Sequence, residues 1–292
     1  MTQRGGPGRP AAGGIGWGEG GIQAGVEPKK SRLSRGYSRS APFYDLTAGP
    51  IYAQGFRHLL PLLRLPPAPA VLDVGTGTGA NLFEAARWLA PTRLLCGIDI
   101  SPGMISIARQ KAAALRLPAH FTVGDAERLP YPDGLFDLVI CNSVFHWFSN
   151  KAAAMAEMRR VLRPGGQLVL ICATAPGYAE WFSLVDRVGR LLLNGRWTAE
   201  MPQLPTALEV AWLMVCSGVL IQHLANPTAV RRIHLPEPFI KTMSVVAPHW
   251  AADLTPLEQA AVENTAAAAM RLVPGGFPVT WSSMEAVGLR VR

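Results

Sequence analysis

The chain has 292 residues, 49% hydrophobic and 16% charged, enough apolar material for a full core, which excludes an intrinsically disordered protein. Its formal net charge of +8 is uneven: residues 1–40 hold seven Lys/Arg against two Asp/Glu, leaving a net of +3 on the other 252 residues. A basic face for nucleic acid is therefore not expected on the folded part.

Residues 1–36 contain eleven of the 29 glycines and no apolar period, so they are expected to form a disordered basic tail. They also lack the continuous apolar stretch of a secretory signal. From residue 37 to 292 a single domain is expected. Its apolar runs are Val71–Val74, Leu94–Ile98, His120–Val123, Phe136–Cys141 and Gln167–Cys172. Between them lie segments of helix-forming composition, Ala80–Leu89, Pro102–Leu115 and Lys151–Leu162. This alternation predicts a parallel sheet with helices on both faces, with Pro164-Gly165-Gly166 turning the chain into the fifth strand.

Residues 176–235 are irregular and punctuated by Pro202, Pro205 and Pro227, which predicts an inserted helical cap over a binding site. Inside it, Val210–Ile221 is far shorter than the roughly 20 residues of a spanning helix and is expected to be a buried or substrate-facing helix. Thr255-Pro256-Leu257-Glu258 has the form of a capping box with proline at the first helical position, opening a helix to about Leu272. Val279–Trp281 and Ala286–Val291 are expected to be a terminal hairpin strand or strands. Cys96, Cys141, Cys172 and Cys216 show no paired spacing, which offers neither a zinc site nor a disulfide framework and fits a reducing cytoplasm.

The chemistry is concentrated in VLDVGTGTGA, residues 71–80. Gly75, Gly77 and Gly79 fall at a strand-to-helix turn, where backbone must approach a ligand. No Gly-Lys-Ser/Thr follows, so a nucleoside-triphosphate loop is excluded. Gly75-x-Gly77-x-x-Ala80 still satisfies a permissive dinucleotide pattern, and Asp99 lies 24 residues after Gly75, near the spacing of a ribose-binding acid. The loop by itself leaves the ligand open. Asp73, two residues before the glycines, would crowd a pyrophosphate but suits an ammonium group. A further acid, Asp125, follows the third strand.

The segments VLDVGTGTGANL, LLCGIDISPGMISIARQKA, GDAERLPYPDGLFDLVICNSVFHWF and MRRVLRPGGQLVL together resemble the class I S-adenosylmethionine-dependent methyltransferases, in the branch that includes ubiquinone and menaquinone methyltransferases. The resemblance covers residues 37–175 and implies a Rossmann-like, doubly wound, mostly parallel seven-stranded sheet binding S-adenosyl-L-methionine. It implies that Gly75, Gly77 and Gly79 pass close to the methionine moiety, with Asp73 serving its ammonium. Asp99 would accept the ribose hydroxyls, Ile100 and Met104 would flank the adenine, and Asp125 and the Ala126 amide would read its edge. Asn142 would present itself to the reacting methyl. Upstream, YSRSAPFYDLTAGPIYAQGFR resembles the family's lead-in helix, with Tyr37 or Tyr44 closing over the cofactor.

His146, in Phe145-His146-Trp147-Phe148, follows the fourth strand and has an unperturbed pKa suited to a general base; pocket shaping or a hydrogen bond is the competing role. His223, His234 and His249 could line the cap, which also supplies Trp181, Phe182, Trp197 and Trp212. These aromatics suggest a small, apolar or amphipathic methyl acceptor. An NAD(P)-dependent oxidoreductase and an RNA-directed methyltransferase are the alternatives. No metal, nucleic-acid partner or transmembrane segment is expected.

Overall fold

The computed structural model describes residues 28–47, 56–197 and 201–291. Eight strands form the sheet: Ala70–Val74 (β1), Leu94–Asp99 (β2), His120–Val123 (β3), Phe136–Asn142 (β4), Leu162–Ala173 (β5), Val219–Ala225 (β6), Thr228–Ile233 (β7) and Phe277–Arg290 (β8). Their order is β3-β2-β1-β4-β5-β8-β6, with β7 also paired to β8. β1 to β5 run parallel, while β8 is antiparallel to β5, β6 and β7.

Helices Ala80–Trp88 (α2) and Pro102–Ala114 (α3) cover one face of the parallel part, and Lys151–Val161 (α4) and Ala207–Cys216 (α6) the other. Successive strand residues point to opposite faces, so Val71, Leu138 and Ile140 meet α2 and α3 while Leu72, Val139 and Cys141 meet α4. All five residues of β1 and all seven of β4 are buried, the mark of strands covered on both sides. The reversal of strand order falls between β1 and β4, and the crevice outside their carboxyl ends is where open α/β sheets bind ligands.

A separate cluster of apolar side chains forms the cap. Ala179–Leu193 (α5) buries Trp181, Phe182, Val185, Val188 and Gly189, a helical stripe, against Pro236–Val246 (α7) and Pro256–Arg271 (α8). The Thr255 hydroxyl accepts from the Glu258 amide while the Glu258 carboxylate returns the bond, which is the capping box expected there. Pro28–Thr47 (α1) lies across the cap and α3; among the described residues, no helix is long and apolar enough to cross a membrane.

Several sequence expectations are corrected. The tail expected to run to residue 36 gives way to helix at Pro28, because tertiary partners replace solvent around its basic residues: Lys30 pairs with Asp125 and Glu127, and Arg32 and Arg35 with Asp253. Residues 1–27 lie outside the described residues. The sheet has eight strands, not seven, because 219–233 supplies β6 and β7 where a helical cap was expected. The cap's other helices come from 236–271, beyond the expected boundary. The helix within Val210–Ile221 ends at Cys216, and Gly218, at φ +78°, turns the chain into β6. It buries Val210 and Met214 on the sheet and leaves Trp212 66% exposed, so Trp212 is not a cap residue. The terminal strand is continuous from Phe277 to Arg290: Ser282, which breaks the apolar pattern, is accommodated by hydroxyl contacts to Thr174 (3.0 Å) and Thr228 (2.9 Å).

Candidate active site

Two adjoining cavities open at the carboxyl ends of β1, β2 and β4. The first is bounded by the glycine loop, the ends of β2 and β3, and one face of α1; the second lies between β4, β5, β8 and the cap. Asn142, Ser143 and Trp147 line both.

In the first cavity, the loop after β1 is pinned by backbone. The amides of Gly75 and Thr76 donate to the Ile98 carbonyl (2.8 and 3.0 Å), and the Gly77 amide donates to Asp99 Oδ2 (2.9 Å). Gly75 stands at φ +69°, and a Cβ there would come within 2.6 Å of Val144. Gly77 stands at φ +55° with no atom within 4 Å of a Cβ position, so its bare face is presented to open space. Gly79 does not line the cavity; at φ +91° it is the N-cap of α2.

The acids are held in different ways. Asp73 is wholly buried beneath the loop and, like Gly79, does not line the cavity; its Oδ2 accepts from the Thr76 hydroxyl (2.7 Å), and the Leu82 amide also favours its charged form. Burial pushes its carboxyl up to about 7, the nearby Asp99 adding to this and the Thr76 hydroxyl opposing it. Asp99 is also raised by burial, against the amides of Ser101, Gly77 and Ile100, and it still has lone pairs free to accept beyond the Ser101 (2.8 Å) and Gly77 amides. Asp125 lines the same cavity with Oδ1 on the Glu127 amide (2.9 Å) and Oδ2 on Lys30 (2.7 Å). Burial pulls the Lys30 ammonium down, but Asp125 and Glu127 outweigh it and the group is raised. Ile100, Met104, Ala126 and Tyr44 also line this cavity.

Helix α1 is fastened over the cavity at both ends. Ser34 donates to the Ile100 carbonyl (3.0 Å), and Asp45 accepts from Thr78 in the glycine loop (2.5 Å) and from Lys111 (3.0 Å). Tyr37 and Tyr44 make an edge-on ring contact at 6.4 Å, and both face the cavity. Lys30, Leu33 and Glu127 escaped the sequence reading. Lys30 sits in a basic run that gave no sign of its partners 95 residues away.

His146 lies in the second cavity, on a 3-10 turn at Phe145–Trp147. Its Nδ1 accepts from the Ala173 amide (3.3 Å), which assigns the ring proton to Nε2. Burial pushes its pKa down to about 3, with Lys151 and His249 adding to the shift. His249 makes a tilted ring contact with Trp147 (4.5 Å), has neither ring nitrogen bonded, and is likewise pushed down to about 3 by burial and by Lys29. His223 lies on β6 and His234 beside Gly276, and neither lines the cavities. Of the expected cap aromatics, Phe182 lines the second cavity, Trp181 packs on Phe239, and Trp197 packs on Gly189 and donates to Asp186 (2.9 Å).

Both histidines stay neutral in the fold, whereas an unfolded chain protonates them below about 6.5. Their folded pKa is depressed, so stability is full above that pH and is lost as pH falls toward 3. Urea unfolding is expected to show a falling midpoint between pH 7 and 5 (roughly that window), with a weaker fall in His249→Phe. An unchanged slope in that variant would contradict the assignment.

Comparison with known proteins agrees with this geometry. Residues 72–170 match the family described as methyltransferase domain. The demethylmenaquinone methyltransferase of Thermus thermophilus is 39% identical over 157 residues, covering 52% of this chain and 70% of that protein. The demethylmenaquinone methyltransferase of Deinococcus radiodurans is 40% identical over 149 residues, 50% of this chain, and the match spans only 61% of that protein's length. The solved geranyl diphosphate C-methyltransferase of Streptomyces coelicolor A3(2) superposes with a TM-score of 0.52 at 15% identity, covering 82% of this chain and 78% of that one, a likeness of fold. The chain belongs to the class I S-adenosylmethionine-dependent methyltransferase family.

Proposed function

We propose that the protein transfers a methyl group from S-adenosylmethionine to a small amphipathic acceptor held in the second cavity. The observation that carries this reading is that Asn142, Ser143 and Trp147 line both cavities, so that an acidic, glycine-walled chamber adjoins an aromatic one. The acidic chamber suits a ligand with an ammonium and a sulfonium. The free lone pairs of Asp99, the bare face of Gly77 and, beneath the loop, the buried carboxyl of Asp73 provide for it, and the same acids would repel a pyrophosphate. This disfavours the oxidoreductase alternative.

Asp73 and the backbone of Gly75 and Gly77 would hold the amino-acid end, Asp99 the ribose, and Asp125, Ala126, Ile100 and Met104 the adenine, with Tyr44 closing above. The cofactor supplies a methyl group already activated by its sulfonium. The protein's share is alignment and exclusion of water, for which effective molarities are large.

His146 acts as a neutral hydrogen-bond donor to the acceptor through Nε2, not as a base, because Nδ1 is engaged and burial opposes its protonation. His146→Ala is expected to lower kcat about tenfold with less than a twofold change in cofactor affinity. The wild-type rate is expected to show no ionisation of this residue near neutral pH. A rate step near pH 6.5 that vanishes in the variant would instead establish His146 as the base. The proposal as a whole is tested by following conversion of S-adenosylmethionine to S-adenosylhomocysteine with a panel of small acceptors. Turnover of none of them beyond the acceptor-free rate would count against it.

A further inference from the structure

The second cavity has an excess of hydrogen-bond donors. Arg231, on β7, lines it with its guanidinium over the Trp281 ring at 5.3 Å, and makes no hydrogen bond or ion pair among the described residues. A cation held over a ring face spends none of its N–H groups, which stay free to fork an oxyanion. The Trp281 indole N–H is buried without an acceptor. His146 contributes a third donor, Nε2–H. Among the described residues the one carboxylate lining it is Glu285, which is bonded to His58 (2.7 Å), a partner that balances its charge only when protonated. The Ser282 hydroxyl is shared with Thr174 and Thr228, and the Ser143 hydroxyl donates to Asn142 (3.0 Å). Tyr178, Phe182, Leu204, Met243 and Val246 make the rest of the wall apolar.

We infer that the acceptor is an amphipathic carboxylate, its single negative charge forked by Arg231 and its apolar body laid against the cap. The fork selects the class. Arg231 is itself exposed, and its planar N–H edge matches the two oxygens of one carboxylate, whereas a phosphate dianion would bring a second negative charge beside Glu285. A neutral acceptor would gain no charge-assisted bond from that fork. The inference rests on the methyltransferase reading for the role of the bound molecule, but the binding step is separable from it.

The test titrates the full chain, with and without S-adenosylhomocysteine, with octanoate, octanamide and octyl phosphate. Octanoate is expected to bind at least about tenfold tighter than octanamide. Arg231→Gln is expected to erase that preference, Arg231→Lys to recover part of it, and neither to change S-adenosylhomocysteine affinity. Equal binding of octanoate and octanamide, a preference that survives Arg231→Gln, tighter binding of octyl phosphate, or no binding of any probe at millimolar concentration would each overturn the inference. Failure of S-adenosylhomocysteine to bind while octanoate still discriminates would sink the methyltransferase reading and leave this one standing.

Discussion

Replacing Asp99 with alanine is expected to weaken S-adenosylhomocysteine binding by a hundredfold or more while the protein remains folded. The carboxylate does two jobs. Its Oδ2 holds the Gly77 amide at 2.9 Å and its Oδ1 the Ser101 amide at 2.8 Å, so it sets the glycine loop against the start of α3. Its remaining lone pairs are the acceptors available to ribose hydroxyls. Charge-assisted hydrogen bonds contribute about 1.5–3 kcal/mol each, and losing two accounts for the expected factor. Asp99→Asn should bind at an intermediate level, because its amide group must face one of the two backbone donors. Near-wild-type affinity for the alanine variant, by calorimetry, would show that the carboxylate serves the loop alone.

The second large effect concerns Asp73 and has opposite signs in the two states of the protein. Without ligand, a wholly buried carboxylate is a liability that the Thr76 hydroxyl and the Leu82 amide only partly offset, which is why its pKa rises to about 7 from an ordinary value of 3.8. A raised folded pKa means that the group's contribution to stability is full below 3.8 and is lost as pH rises through about 7. Asp73→Asn retains an acceptor for Thr76 and removes the charge. The variant is expected to be more stable than wild type by about 1–3 kcal/mol at pH above 7 and to gain little in acid. Its cofactor affinity should fall at least about tenfold, since an ammonium loses its counter-charge. Urea melts at two pH values together with a binding titration read both signs. A variant less stable at high pH would mean that the Thr76 and Leu82 bonds to the carboxylate outweigh the cost of burying it.

The histidines and Asp73 act on acid stability in opposite directions. Neutral His146 and His249 lose stability as pH falls, whereas Asp73 regains it. Removing Asp73 should therefore steepen the acid loss that His249→Phe flattens, so the two substitutions can be told apart in one set of melts.

The parallel half of the fold was legible in the sequence because strands buried on both faces read as unbroken apolar runs. The expected and observed limits of His120–Val123 coincide, and β1, β2 and β4 differ by one residue at an end. The antiparallel half was not legible. β6, at the sheet's edge, buries only Val219, and its apolar start Val219–Ile221 merges with the run of the preceding helix; β7 is almost wholly exposed and has no apolar run. In β8, Ser282, which breaks the apolar pattern, is held by hydroxyls of Thr174 and Thr228, far away in sequence. The same division holds for the site. Residues within motifs, from Gly75 to Asn142, could be found by spacing, and nine of the expected residues, Tyr44, Gly75, Gly77, Asp99, Ile100, Met104, Asp125, Ala126 and Asn142, line one cavity. Lys30 and Arg231 could not be found, because each depends on a partner brought to it only by tertiary structure: Asp125 for one, Trp281 for the other.

The central claim, that the acidic chamber beside the glycine loop holds an S-adenosyl ligand and not a dinucleotide, is tested most directly by calorimetric titration of the folded protein with S-adenosylhomocysteine and, separately, with NAD. The account predicts a saturable heat at one site per chain for S-adenosylhomocysteine and none for NAD. Heat with NAD alone, from protein shown to be folded by circular dichroism, would contradict it.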